Sequence, residues 1–251
     1  MELTLSYVSV AGFALALVRS SVFVLLAPPF ATNLVSYRVK SGIATSFALL
    51  LGPKLAPTAD VTDAGAFVLA LLEQAIIGGA LGFFIWMLLA AVSSAGDLID
   101  IATGFSVASA LDPISARQLG PIGRLYELMV TVLLFTTGGF SLIVQGFMSL
   151  GPTALPDTGS LAQSLVSTSA RFFVAALEIA IPMLSVMFLT EVALGLLGRA
   201  APQLNILVIG LAAKAVISIL LLSVTLIMLP TAAHSLASQA VRTALRVLTG
   251  G

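Results

Sequence analysis

The run from Ala66 to Val92 reads AFVLALLEQAIIGGALGFFIWMLLAAV, and Glu73 is its only charge. A helix needs about 20 predominantly apolar residues to cross the hydrocarbon core of a bilayer, so this stretch predicts a membrane-spanning helix. Working outward, comparable runs extend from Val8 to Leu26, Leu125 to Leu150, Phe172 to Leu197 and Asn205 to Leu229. A sixth, Ile43 to Leu55, is short and flanked by Gly42 and the Gly52-Pro53 pair, which predicts a half-helix or re-entrant piece. The expected fold class is all-α: an integral membrane helical protein with about six hydrophobic segments. The first segment lacks a positive n-region and is expected to be retained.

Composition supports the same solvent. Of 251 residues, 59% are hydrophobic and 9% charged, and mean hydropathy is +1.14, well beyond a surface that must meet water. The formal net charge is +0, so the basic footprint of a nucleic-acid binder is missing. There is no cysteine and one histidine, which leaves no Cys/His ligand set for a metal and no thiol chemistry.

Catalytic arrangements fare no better. His234 lies beyond the last apolar run, where a surface or interfacial role outweighs that of a base. Asp97 and Asp100 imitate a carboxylate pair, but polar neighbours and the nearby Arg117 and Arg124 argue for solvated or ion-paired carboxylates. Gly78, Gly79 and Gly82 sit inside an apolar helix, out of a phosphate's reach. No catalytic residue, cofactor or metal is expected.

Prolines punctuate the runs. Pro28-Pro29, Pro152, Pro156 and Pro230 are read as helix ends, and Pro182 as a kink or break within the fifth run. Gly138-Gly139 interrupts the fourth. Gly78 and Gly82, and Gly195 and Gly198, offer small-residue faces for close helix contact. Leu72 to Ile76 and Leu177 to Ile181 match weakly as an internal repeat. A thin excess of Arg38, Lys40, Arg117, Arg124 and Arg199 on one side places the N-terminus outside.

The apolar runs also hold Arg19, Glu73, Glu127, Glu178, Glu191 and Lys214. A charge at a helix centre costs roughly 2.5–3.5 kcal/mol on the insertion scale. Arg19, Glu127 and Glu191 are near enough to a run's end to snorkel; Glu73, Glu178 and Lys214 need a partner helix, an aqueous path or protonation in place. Ser93, Asp97, Asp100 and Gly104 fall at i, i+4, i+7 and i+11, one polar stripe if the helix continues. Asp112-Pro113, Gly120-Pro121 and Gly123 then predict an ordered loop.

These residues are similar to a known family. Arg199-Ala200-Ala201-Pro202-Gln203-Leu204-Asn205, with Gly210 and Lys214, resembles a motif of the FliR/SctT proteins. Arg19 with Pro29-Phe30, Arg38-Val39-Lys40, Gly104-Phe105 with Asp112-Pro113, and Ala180-Ile181-Pro182 follow in the family's order. Ser36, Ala102 and Phe140 depart from it. The resemblance implies one export-gate domain over 1–251, with a FliP-like part (1–171) followed by a FliQ-like hairpin and short tail (172–251).

It also implies a non-enzymatic subunit of the flagellar type III export gate in the bacterial inner membrane, at the flagellar basal body. FliP and FliQ would complete the pore for unfolded flagellar subunits, with FlhB and FlhA nearby. Asp97, Asp100, Gly104, Phe105, Asp112, Pro113, Gly120 and Pro121 would line or plug the pore. Arg199, Pro202, Gln203, Asn205, Gly210 and Lys214 would form the hairpin turn, with Asn205 capping a helix. Arg19, Glu73 and Glu178 would be intramembrane charges buried by protein. The alternatives are an SctT-type injectisome subunit and a secondary transporter of a small solute.

Overall fold

The computed structural model describes residues 2–28, 30–31, 35–56, 63–105, 120–151, 158–203 and 205–249. They form helices α1 (Glu2–Leu26), α2 (Tyr37–Leu55), α3 (Ala64–Thr103), α4 (Pro121–Thr136), α5 (Gly139–Ser149), α6 (Thr158–Ala200) and α7 (Ile206–Thr249), with no strand among the described residues. Pro29, Pro152, Pro156 and the loop residues Asp112 and Pro113 lie outside the described residues.

Length separates these helices from ordinary spans. α3, α6 and α7 have 40, 43 and 44 residues, about 60–66 Å at 1.5 Å per residue, or twice a hydrocarbon core of about 30 Å. Among the described residues four helices, α1, α3, α6 and α7, are long and apolar enough to cross a membrane, and five spans result if α4 and α5 count as one. The break between α4 and α5 falls at Gly138, whose φ of +78° suits a residue without a Cβ. α2 is a full 19-residue helix that does not meet the criterion for crossing.

One boundary differs from the sequence reading, and two points that it left open are decided. Pro230 does not end the last helix: α7 runs through it to Thr249. A helical proline costs about 3 kcal/mol, but Ala233, Leu236, Ala237, Ala240, Val241 and Ala244 beyond it are buried at helical spacing. A buried Leu or Val contributes about 1.5–3 kcal/mol, so the packed face outweighs the lost bond, and the short tail is a helix. Pro182 likewise lies inside a continuous α6. α3 continues past Val92 to Thr103, because backbone hydrogen bonding does not stop where side chains turn polar.

The chain packs as two units. One comprises Met1–Leu88, Gly138–Ser169 and Ala237–Gly251; the other comprises Leu89–Thr137 and Ala170–Leu236. Each draws on segments before and after residue 171, and the packing does not bear on the kinship division expected there.

In the first unit α1 lies antiparallel to α2: Gly12 packs on Gly52 and Ala56, and Phe23 meets Phe47 at 6.4 Å. Gly78 rests on the Arg19 carbonyl, and Gly82 on Leu26 and the Phe23 carbonyl, so this GxxxG is a true α1–α3 contact. Phe23 stacks on Phe147 of α5 at 4.2 Å. In α3, 67% of the apolar window is buried, against 11% in α7.

Candidate functional site: two capped helix ends and a hairpin

α4 starts with an accounting problem. Its N-cap is Gly120, which has no capping side chain, and Pro121 holds the first helical position. The first intrahelical bond is Arg124 N–H to the Gly120 carbonyl, 2.9 Å, so the N–H groups of Ile122 and Gly123 lack helical partners. Asp100 of α3 supplies both. Its Oδ2 accepts Gly123 N–H at 2.8 Å, and its two oxygens accept Ile122 N–H at 3.0 and 3.1 Å. Asp97 Oδ1, one turn earlier, accepts Gly120 N–H at 3.4 Å.

Asp100 is 1% exposed, and its carboxylate faces the positive end of a helix dipole, where a negative charge is favoured. Glycines admit the backbone: a Cβ on Gly96 would collide with Gly123, and one on Gly120 or Gly123 with the Asp100 or Asp97 carboxylate. The same residue also closes α3. The Asp100 carbonyl accepts Gly104 N–H at 3.1 Å and Thr103 Oγ1–H at 3.2 Å. Gly104 takes φ +86°, the usual left-handed helix stop. Both ends of the 104–120 connection are thus fastened to one aspartate.

The sequence reading expects Asp97 and Asp100 to be solvated or paired with Arg117 or Arg124; Asp100 is buried, Arg124 does not pair with either, and Arg117 lies outside the described residues. Arg124 forms an ion pair with Glu127, one turn along its own helix. The stripe of Ser93, Asp97, Asp100 and Gly104 stays helical, with Asp97 and Asp100 spent on the backbone of α4. Phe105 is half-buried and Pro121 exposed.

The C-terminus of α5 is the counterpart. Arg19 is 0% exposed, which overturns the snorkelling expectation. Its Nε donates to Gln74 Oε1 at 2.7 Å, Nη1 to the Leu150 carbonyl at 2.8 Å and Nη2 to the Gly151 carbonyl at 3.3 Å. Lys54 Nζ donates to the Met148 carbonyl at 3.0 Å. The terminal carbonyls of a helix are short of donors and carry partial negative charge, and here two cations meet them. An arginine in this position needs no carboxylate. The sequence reading missed Gln74 and Lys54, because neither stands near Arg19 or Leu150 in the chain.

In the second unit α6 and α7 form an antiparallel hairpin. Gly198 packs on Ile206, Gly210 on Leu194, and Lys214 Nζ meets Glu191 Oε1 at 2.6 Å; the three pairs share one register. Pro202, Gln203 and Asn205 occupy the turn and Arg199 the last turn of α6, all four exposed, whereas Gly210 and Lys214, expected in the turn, lie inside α7. α7 begins at Ile206, and the Asn205 carbonyl accepts Ile209 N–H at 3.2 Å, which puts Asn205 at the N-cap position. A Cβ on Gly195, by contrast, would meet nothing within 4 Å. Tyr126 of α4 donates to Thr225 Oγ1 of α7 at 2.8 Å, fully buried. Glu73 is half-buried and Glu178 exposed; the structure brings neither to a partner among the described residues.

Residues 10–240 match the family described as bacterial export proteins, family 1. The chain belongs to that family. It is 33% identical to the flagellar biosynthetic protein FliR of Escherichia coli (strain K12), over 77% of this chain and 76% of that protein. It is 29% identical to the protein of the same name from Pectobacterium carotovorum subsp. carotovorum, over 92% and 90%. The Yop proteins translocation protein T of Yersinia pestis is 32% identical over 73% of each chain. The bacterial export family therefore covers both capped helix ends and the hairpin within one matched region.

Proposed function

We propose that this chain is the FliR-type subunit of a flagellar type III protein-export gate, working without a chemical step of its own. The carrying observation is the length of α3, α6 and α7. Helices of about 60 Å overrun a bilayer of about 30 Å, which suits a subunit embedded in a larger helical assembly and not one dissolved in lipid. The family match supports an export role, and the relatives named FliR support the flagellar branch.

In this reading the chain sits in the bacterial inner membrane at the flagellar basal body and assembles with FliP and FliQ, near FlhB and FlhA. Asp100 and Asp97 act as positioning residues: they hold the two ends of the 104–120 connection that would plug the closed pore for unfolded flagellar proteins. Residues 172–251 would be the FliQ-like portion, with Asn205 at its turn.

The test is removal of the chain from its host. Loss of swimming, restored by the intact chain and accompanied by co-purification with two small helical membrane proteins, is the expected outcome. Retained swimming with lost injection of virulence proteins would select the injectisome branch, to which the Yersinia relative points. Solute uptake by the chain alone in liposomes would replace the gate reading with the transporter.

A further inference from the structure

Between α6 and α7, within the second unit, lies an open cleft of about 400 Å³ lined in part by Glu178, Pro182, Thr225, Met228, Thr231 and Ser235. Glu178 stands well inside the apolar window Ala162–Ala200 and is exposed on this chain. The ion pairs among the described residues, Arg124 with Glu127 and Lys214 with Glu191, leave it out. An ionised carboxylate in so apolar a helix is disfavoured against lipid and favoured against a protein partner.

The rest of the lining says what that is. The hydroxyls of Thr225, Thr231 and Ser235 donate to the carbonyls of Leu222, Met228 and Ala232. Their protons are committed to α7 itself, and Thr225 Oγ1 also accepts from Tyr126. Pro182 has no N–H to give the Glu178 carbonyl four residues back. The polar part of the cleft therefore holds a carboxyl group and is rich in acceptors and poor in donors. Its rim is apolar, with Met228 60% exposed.

We propose that this cleft is an interaction surface for a neighbouring membrane helix that sets one lysine or arginine against Glu178. A basic side chain has donors and no acceptor, the complement of this lining, and its aliphatic stem suits the apolar rim. The inference goes beyond the gate reading: it rests on the chemistry of the cleft and holds for any assembly that contains this chain.

The experiment places a benzophenone amino acid at position 228, in place of Met228, in the full chain in its native membrane, and identifies the photo-adducts by mass spectrometry. The expected adduct is a peptide of another membrane protein, with a lysine or arginine within about one helical turn of the linkage. Glu178→Gln should cut its yield about tenfold, the loss of one charge-assisted hydrogen bond. Glu178→Asp should keep most of it, and replacing the identified basic residue by methionine should lower it as Glu178→Gln does. Adducts with lipid alone, with a second copy of this chain, or with a peptide lacking a nearby basic residue overturn the proposal. So does a yield indifferent to Glu178→Gln. Unchanged thermal unfolding of the Glu178 variants separates lost contact from lost folding.

Discussion

The carboxylate of Asp100 accepts the backbone N–H of Gly123 at 2.8 Å across two helices, doing for α4 what its own N-cap, Gly120, cannot. Side-chain capping is normally local, from the residue that begins the helix. Here the cap comes from the preceding helix, so one residue ties the start of α4 to the end of α3.

Asp100→Leu leaves the N–H groups of Ile122 and Gly123 buried and unpaired, each costing about 1–3 kcal/mol. Asp100→Asn keeps one acceptor oxygen and should recover part of that loss. Thermal unfolding of the purified chain is the measurement, with the order wild type, Asn, Leu. A Leu variant as stable as the wild type would show that the cap contributes nothing.

Arg19→Met strands the Gln74 amide and the carbonyls of Leu150 and Gly151 together. Each acceptor left buried without its donor costs about 1–3 kcal/mol, enough together to deplete the chain from membranes. Arg19→Lys keeps the charge but cannot reach three acceptors with a planar fork, and it should accumulate to an intermediate level. Quantitative immunoblotting of membrane fractions reads this; equal amounts of all three proteins would contradict the buried network.

Two glycines with similar sequence surroundings should behave oppositely. Gly78→Ala drives a methyl group into the Arg19 carbonyl and must push α1 from α3, whereas Gly195→Ala enters open space. The first should destabilise by about 1–3 kcal/mol, as overpacking does. The second should be neutral, or stabilising by about 0.5–1 kcal/mol through lower backbone entropy. Denaturation midpoints in detergent decide it, and matching midpoints for the pair would refute the assigned contacts.

Lys214 and Glu191 join α6 to α7, with side-chain exposures of 14% and 66%. Exposed pairs contribute about 0–1 kcal/mol in water. A double-mutant cycle with Glu191→Gln and Lys214→Gln should give a coupling within that range for the purified chain, and a larger one in a native assembly that covers Glu191. Equal coupling in both settings would mean that Glu191 stays solvated.

Particular residues show where sequence reading reached and where it stopped. The Ala66 to Val92 run was legible because lipid acts on each residue separately, so hydropathy adds along the chain. The break at Gly138 and the end near Pro28 were legible because φ preferences and missing N–H groups are local. Pro230 misled for the same reason: its local cost is real, but burial of Ala233 to Ala244 outweighs it, and that burial is not written beside the proline. The Asp97 and Asp100 stripe was visible as helical spacing, whereas its target, the bare N-terminus of α4, was not.

The chain's residues alone settled its solvent, its helical class and, through the stretch around Pro202 to Lys214, its family. The tertiary structure decided which polar groups are buried and what satisfies them. Arg19 illustrates the difference: its acceptors lie 55, 131 and 132 positions away. An apolar run states its environment one residue at a time, but a hydrogen bond needs two groups within about 3 Å, and only folding brings such distant groups together.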